Sequence, residues 1–388
     1  MSMIVLVLLV PLLLAFWLWW PVTSPGRRPR RWHFGVTLAF ALLPPVLGAL
    51  WRMHALGDVA GAWVQLLFGW VLVAFLLVLP LVLLRDALWL TLRLLKTGVP
   101  ARALLHGVRL NRGIALAGVL LATLGVFNGL KPPQVHEREL ALSTLPPELD
   151  GLRVAVLADI HASPVKGAWR TRRIVDEVLA ARPDLIVLPG DMVDGQVESN
   201  AANVAALAEL HAPHGVWLAP GNHEYYSNYA AWMAHFRQLG LGVLENQTAK
   251  LDIGGRTLAV SGVGDPAFYR RGDLVHDGIA PDIPAVVRQA QGSDFHILLA
   301  HQPRLARTAA ATGAIDLQLS GHTHGGHILG MDRWLVAPAN DGYVRGGYQV
   351  GGMTLFVSPG AGQWDGFTAR LGVPSSIDVL VLRRADRE

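Results

Sequence analysis

The sequence predicts a membrane-anchored α/β protein, with transmembrane helices at the amino terminus and an α/β sandwich after them. Two observations carry this reading. Charge-free apolar segments crowd the first third of the chain, and the remainder alternates short β-branched or aliphatic runs with helical stretches. The 388 residues are too many for one compact domain, and a hydrophobic content of 52% with positive mean hydropathy is high for a soluble enzyme.

Taken in chain order, Met1–Gly26, Phe34–Trp51, Val59–Leu84 and Gly113–Leu130 contain no Asp, Glu, Lys or Arg. Each is at or near the roughly 20 residues that span a bilayer, which predicts a membrane domain over residues 1–130 with about four transmembrane helices. Pro44-Pro45 should kink the second or make it re-entrant. The first lacks the basic start and small-residue cleavage site of a signal peptide. Arg27, Arg28, Arg30 and Arg31 follow the first segment, and Arg85, Arg93, Lys96, Arg102, Arg109 and Arg112 lie between the third and fourth. Positive-inside logic puts both groups in the cytoplasm, and with four crossings everything after Leu130 falls outside. The expected location is therefore the cell (inner) membrane, with the carboxy-terminal domain periplasmic or extracellular. The stretch from Arg85 to Arg112 reads equally as an amphipathic helix along the inner surface and as a solvated loop. Residues 131–150, with Pro132-Pro133 and Pro146-Pro147, read as a linker.

Within residues 151–388, Leu152–Ala158, Leu185–Leu188, Val216–Ala219, Phe295–Ala300 and Leu317–Ser320 read as short buried strands. Trp169–Ala181, Ala201–His211 and Tyr229–Leu239 read as helices between them, and Met353–Ser358 and Ile377–Leu382 as strands completing a second sheet. In such sheets the carboxyl ends of the strands line one crevice, so side chains far apart in sequence can meet there. Five segments fall at those ends: Asp159-Ile160-His161, Gly190-Asp191-Met192-Val193-Asp194, Gly221-Asn222-His223-Glu224, His301, and Gly321-His322-Thr323-His324-Gly325-Gly326. They supply carboxylates, imidazoles and one side-chain amide, ligands that suit manganese, iron or zinc, and with no cysteine present a thiolate site is excluded. The set outlines a two-metal centre.

The ordered pattern D-x-H, G-D-x-x-D, G-N-H-(D/E), H and G-H-x-H resembles that of the calcineurin-like metallophosphoesterases, over about residues 150 to 365. The resemblance implies an α/β sandwich of two mixed sheets flanked by helices, and two divalent metal ions. Asp159, His161 and His324 would hold the first ion, Asn222, His301 and His322 the second, with Asp191 bridging both. Two cations about 3.5 to 4 Å apart can share a hydroxide and clamp the oxygens of an in-line displacement at phosphorus. His223 is left as the catalytic acid, protonating the leaving oxygen or hydrogen-bonding the phosphoryl group as charge builds, and Asp194 and Glu224 would orient imidazoles from behind.

Each residue also has a plainer reading. Asp159 or Asn222 alone would be a turn former or helix cap, and only the joint pattern argues otherwise. His327, where similar sequences tend to carry glutamine, is open to being an added ligand or substrate contact but reads more readily as a hydrogen-bonded structural histidine; His211, His214, His235 and His296 read as structural. Asp265 is open between turn residue and wall of the substrate cleft.

The function expected is hydrolysis of a phosphodiester or pyrophosphate by a membrane-anchored two-metal enzyme, with tethering to the lipid bilayer favouring a lipid-linked or envelope-derived substrate. The runner-up is a cytoplasm-facing enzyme resembling the pyrophosphatases of nucleotide-activated acyl sugars (UDP-diacylglucosamine type). From another class, the chain could be a metal-binding scaffold without turnover, against which the intact ligand set and His223 argue. The basic pI of about 9.6 owes much to membrane-flanking arginines, so nucleic acid is not an expected partner.

Overall fold

The computed structural model describes residues 12–22, 27–52, 57–270 and 277–385. The chain divides into two compact units, Met1–Asn128 with Asp365–Ala369, and Gly129–Trp364 with Arg370–Glu388.

In the first unit, three helices among the described residues are long and apolar enough to cross a membrane, over Arg31–Leu50, Val59–Leu94 and Val108–Leu130. The protein is a membrane protein. Of the first expected segment, residues 12–19 are helical, and residues 1–11 lie outside the described residues. Pro44-Pro45 falls inside the Arg27–Arg52 helix without dividing it.

The third segment departs from expectation. Its helix, Asp58–Leu94, runs past Leu84 and ends only before Gly98, at φ +71°, and Pro100. Arg85, expected in the stretch between the third and fourth segments, instead belongs to the third helix and is 3% exposed. Its Nε donates to Asp86 Oδ1 at 2.7 Å, and its Nη1 donates to Asn111. Trp17 Nε1 donates to Asp86 Oδ2 at 2.7 Å, and His106 Nε2 lies 3.1 Å from Asp86 Oδ1. This pairing is what lets a guanidinium be buried, since a charge without a partner would not tolerate it. The run of leucines beyond Asp86 then continues the helix.

The second unit contains two six-stranded mixed sheets. The first is built from β1 (Gln134–Leu142), β2 (Arg153–Val156), β3 (Leu185–Pro189), β4 (Val216–Ala219), β5 (Gly242–Val243) and β12 (Ser376–Arg384), in the order β1-β12-β2-β3-β4-β5. The second is built from β6 (Gln247–Ile253), β7 (Arg256–Gly262), β8 (Phe295–Leu299), β9 (Leu317–Ser320), β10 (Gly346–Val350) and β11 (Met353–Val357), in the order β10-β11-β9-β8-β7-β6. The runs β2-β3-β4-β5 and β11-β9-β8-β7 are parallel, so their carboxyl ends share one edge in each sheet. Val154, Val156, Leu185 and Val187 pack in the core with Val260, Ile297 and Leu319 of the other sheet. Ala155, Ile186 and Leu188 pack on the opposite face with Ile174, Val178, Trp232 and Phe236 of the helices. Burial on both faces explains why these strands read as continuous apolar runs rather than alternating ones.

The segment read as a linker contributes an edge strand. β1 pairs in parallel with β12 from Gln134 to Leu142. Both of its faces carry charge: on one, Arg138 Nε donates to Asp378 Oδ1, and on the other Glu137 and Glu139 pair with Arg153 and Arg383. A polar edge strand lacks the apolar signature of a central one, and the flanking proline pairs mark its ends.

Candidate metal centre

Each sequence-predicted site residue stands where a strand ends and the chain turns sharply. Asp159, His161, Asp191, His322 and His324 all adopt left-handed φ, between +47° and +73°. Side chains with a Cβ rarely accept this conformation, which costs of order 1–3 kcal/mol per residue and clusters at functional sites.

The turns converge. Asp159, His161 and His324 offer ligand atoms that all lie within 4.8 Å of one another, and Asp191, His301 and His322 do the same. Asp191 joins the two groups, because its Oδ2 is 3.1 Å from His301 Nε2 and 3.5 Å from His161 Nε2. Its Oδ1 accepts the backbone N–H of His223 at 2.8 Å, which ties the Asn222-His223 peptide to the same place. Asp159 accepts the backbone N–H of His322 at 3.0 Å, linking the end of β2 to that of β9. A Cβ on Gly321 would stand 2.3 Å from Asp159 Oδ2, and one on Gly221 would stand 2.3 Å from Asp191 Oδ1, so both positions require glycine.

These residues fit divalent cations. His161 Nε2 and the Oδ1 of Asn222 are buried with no hydrogen-bond partner, and the equally buried His301 Nε2 faces Asp191 Oδ2 at 3.1 Å. Orphaned acceptors of this kind are costly in a protein interior unless something positive completes them. The opposite ring nitrogens are occupied, as a ligating imidazole requires: His161 Nδ1 lies 3.0 Å from Asp194 Oδ1, and His301 Nδ1 lies 2.8 Å from the Pro189 carbonyl. His223 Nδ1 lies 2.7 Å from the same Asp194 oxygen. Burial opposes charge on Asp191, yet His301, His223 and His161 hold its carboxyl well below the usual carboxylate range. Burial also opposes the proton on His223, but Asp191 and Asp194 raise its pKa to about 9.

Three expectations resolve differently from one another. Asp194 does brace imidazoles, whereas Glu224 does not. The Glu224 carboxylate accepts the backbone N–H groups of Asp191 at 3.0 Å, Met192 at 2.7 Å and Gly221 at 2.7 Å, so it holds two loops together. Asp265 caps a turn: its Oδ1 accepts from Ala267 N and Gln302 Nε2, each at 2.7 Å. His327 sits beside His324, ring centroids 4.7 Å apart, outside the groups that could hold a metal.

Two contributions escaped the sequence reading. Trp364 and Tyr226 flank His223, with ring centroids 6.1 and 5.5 Å from it, and make an aromatic border. Arg370, 1% exposed, donates to the carbonyls of His324, Pro359 and Gly362 at 2.8, 2.7 and 2.8 Å, and to Gln363 Oε1 at 2.7 Å. The run Ser358-Pro359-Gly360-Ala361-Gly362 after β11 was the available signal, since it too follows a parallel strand. Arg370→Leu should leave these carbonyls unpaired and cost about 3 kcal/mol or more, a Tm loss of about 6–12 °C. Arg370→Lys should rescue little, because a point charge cannot replace a planar fork. Thermal unfolding of the purified variants measures both, and a Tm within error of the parent contradicts the clamp.

The chain is similar in sequence to several known proteins. The family model for calcineurin-like phosphoesterases matches residues 152–326. A Helicobacter pylori uncharacterized metallophosphoesterase is 34% identical over 271 residues, covering 68% of this chain and 69% of that one. A Danio rerio transmembrane protein with metallophosphoesterase domain is 32% identical over 272 residues, covering 69% of this chain and 61% of that protein's length. Among solved structures, a Thermus thermophilus 5'-nucleotidase precursor aligns with TM-score 0.38 and 18% identity, over 55% of this chain and 49% of that one. With two mixed sheets, a convergent histidine-carboxylate site and relatives of this extent, the chain belongs to the calcineurin-like phosphoesterases.

Proposed function

We propose that this protein is a membrane-anchored two-metal hydrolase of phosphodiesters or pyrophosphates, with its catalytic unit on the periplasmic or outer side of the cell membrane. The observation that carries the reading is the shared position of Asp191, whose Oδ2 faces imidazoles of both groups. Asp159, His161 and His324 would hold one cation and Asn222, His301 and His322 the other, with Asp191 placed to serve both. When bound, such a pair supplies positive charge to phosphoryl oxygens and lowers the pKa of water from 15.7 to about 7. The chain's own residues do the rest. Asp194 fixes His223 through Nδ1, which leaves Nε2 to deliver a proton to the leaving oxygen. Trp364 and Tyr226 border that imidazole and limit water around the departing group.

Tethering to a bilayer favours a lipid-linked or envelope-derived phosphoester. The test is to incubate the full-length protein, loaded with manganese, iron or zinc, with total envelope lipid extract and to identify products by mass spectrometry. Metal-dependent release of a phosphorylated fragment is expected. Fully loaded protein that turns over neither the extract nor a nitrophenyl phosphodiester would point instead to a metal-binding scaffold.

The orientation rests on the arginines. Those at 27, 28, 30 and 31 open one helix, and Arg93, Lys96, Arg102, Arg109 and Arg112 cluster around the turn before the last. Alkaline phosphatase fused after Glu388 should be active and green fluorescent protein dark. The reverse pattern would move the substrate search to nucleotide-linked lipid precursors on the inner face.

A further inference from the structure

The first unit contains a cleft of about 370 Å³ among residues 12–19 and the Arg27–Arg52, Asp58–Leu94 and Val108–Leu130 helices. Its lining changes character along its length. Leu14, Phe40 and Phe75 pack together at one end, and Trp19, His33 and Arg112 meet at the other, where Trp32 precedes His33 in the lining. The change runs the same way on two helices, from His33 through Val36 to Phe40 and from Arg112 through Leu116 to Val119. At 1.5 Å per residue each path is about 10 Å, roughly two turns.

The polar groups of the walls are mostly spent. Trp19 Nε1 donates to Thr37 Oγ1 at 2.8 Å, and that hydroxyl donates to the His33 carbonyl at 2.9 Å. Arg112 is the exception. Its Nε donates to His33 Nε2 at 2.7 Å, a neutral contact that supplies no carboxylate. Arg112 forms no ion pair with a carboxylate among the described residues, and Asp86 is taken up by Arg85, Trp17 and His106. The mouth of an apolar cleft therefore carries an uncompensated guanidinium beside two indoles, the side chains that favour the membrane interface.

We infer that this cleft is a binding site for an anionic glycerophospholipid, with its phosphate on Arg112 and one acyl chain against Leu14, Val36, Phe40 and Leu116. The guanidinium matches a phosphate with paired N–H donors, and the apolar end offers the chain a surface of its own chemistry. The site depends on the membrane placement of these helices and is separate from the hydrolytic reading.

The probe is phosphatidylglycerol, titrated into delipidated full-length protein and followed by native mass spectrometry, with phosphatidylcholine and glycerol phosphate as comparisons. Phosphatidylglycerol should bind the parent at one molecule per chain. Arg112→Gln should weaken it about 10- to 100-fold, and Val36→Trp, which fills the cleft from a position 49% exposed, should weaken it comparably without unfolding the protein. Unchanged binding in Arg112→Gln overturns the site. Loss in Arg112→Gln but not in Val36→Trp also overturns it, by showing a surface headgroup contact without the cleft. Equal affinity for phosphatidylcholine removes the charge argument, and equal affinity for glycerol phosphate removes the chain. Should Val36→Trp fail to fold, Leu116→Trp, at a residue 58% exposed, fills the same space.

Discussion

Asp191→Asn should empty both cation positions at once and leave the fold standing. The carboxylate oxygen Oδ2 is within 3.1 Å of His301 Nε2 and 3.5 Å of His161 Nε2, so one charge serves both groups. Asparagine keeps an oxygen for the His223 N–H now 2.8 Å from Oδ1, and the loop it anchors has no reason to move. The negative charge alone is lost. Disturbing residues that merely brace a ligand costs about 10- to 100-fold in metal affinity, so removing a shared ligand should exceed about 100-fold at each position. Elemental analysis of purified parent and variant reads the metal content, and activity should fall with it. Thermal unfolding in metal-free buffer should match the parent, which separates loss of metal from loss of fold. Two metals per chain with full activity would sink the assignment of Asp191 as the bridge.

The carboxy-terminal unit was legible where local chemistry and fold agree. β4 and β9 match their predicted ranges because buried parallel strands leave apolar runs that stop where the chain turns. The site was legible for the same reason, since every predicted ligand follows such a run, and the carboxyl ends of parallel strands share an edge. What no run discloses is order across the sheet. β12, the last strand, lies between β1 and β2, a placement made by long-range pairing from Ser376 to Arg384.

Two of the misses share a physical cause: the decisive partner is backbone. Glu224 satisfies the amides of Asp191, Met192 and Gly221, and Arg370 satisfies carbonyls from His324 to Gly362. Backbone groups carry no side-chain signature, so neither role has a spacing to read. Arg85 was expected at the inner surface or in a solvated loop because charge alone suggests solvent. Its pairing with Asp86, Asn111 and the Leu18 carbonyl is what allows burial. β1 was hidden by the converse effect, its two faces being charged enough to pass for a linker.

His223→Asn should keep both metals and lose rate. The imidazole makes its Nδ1 contact with Asp194 Oδ1 at 2.7 Å, an oxygen that also lies 3.0 Å from His161 Nδ1, so Asp194 stays engaged when His223 is gone. His161 therefore keeps its orientation, and the cation group built on it should persist. A missing proton donor typically costs 10² to 10⁴-fold. The size of the loss should depend on the leaving group: an alkoxide needs the proton as the phosphorus–oxygen bond breaks, whereas a nitrophenolate leaves as a stable anion. The variant should thus be most impaired on an alkyl phosphodiester and least on a nitrophenyl one, with metal content equal to that of the parent. Asp194→Asn offers the contrast, because it disturbs His161 as well and should lower metal content together with rate. Equal losses of His223→Asn on the two substrates would show that His223 only positions the phosphoryl group, and a drop in metal content would show that it belongs to the ligand set.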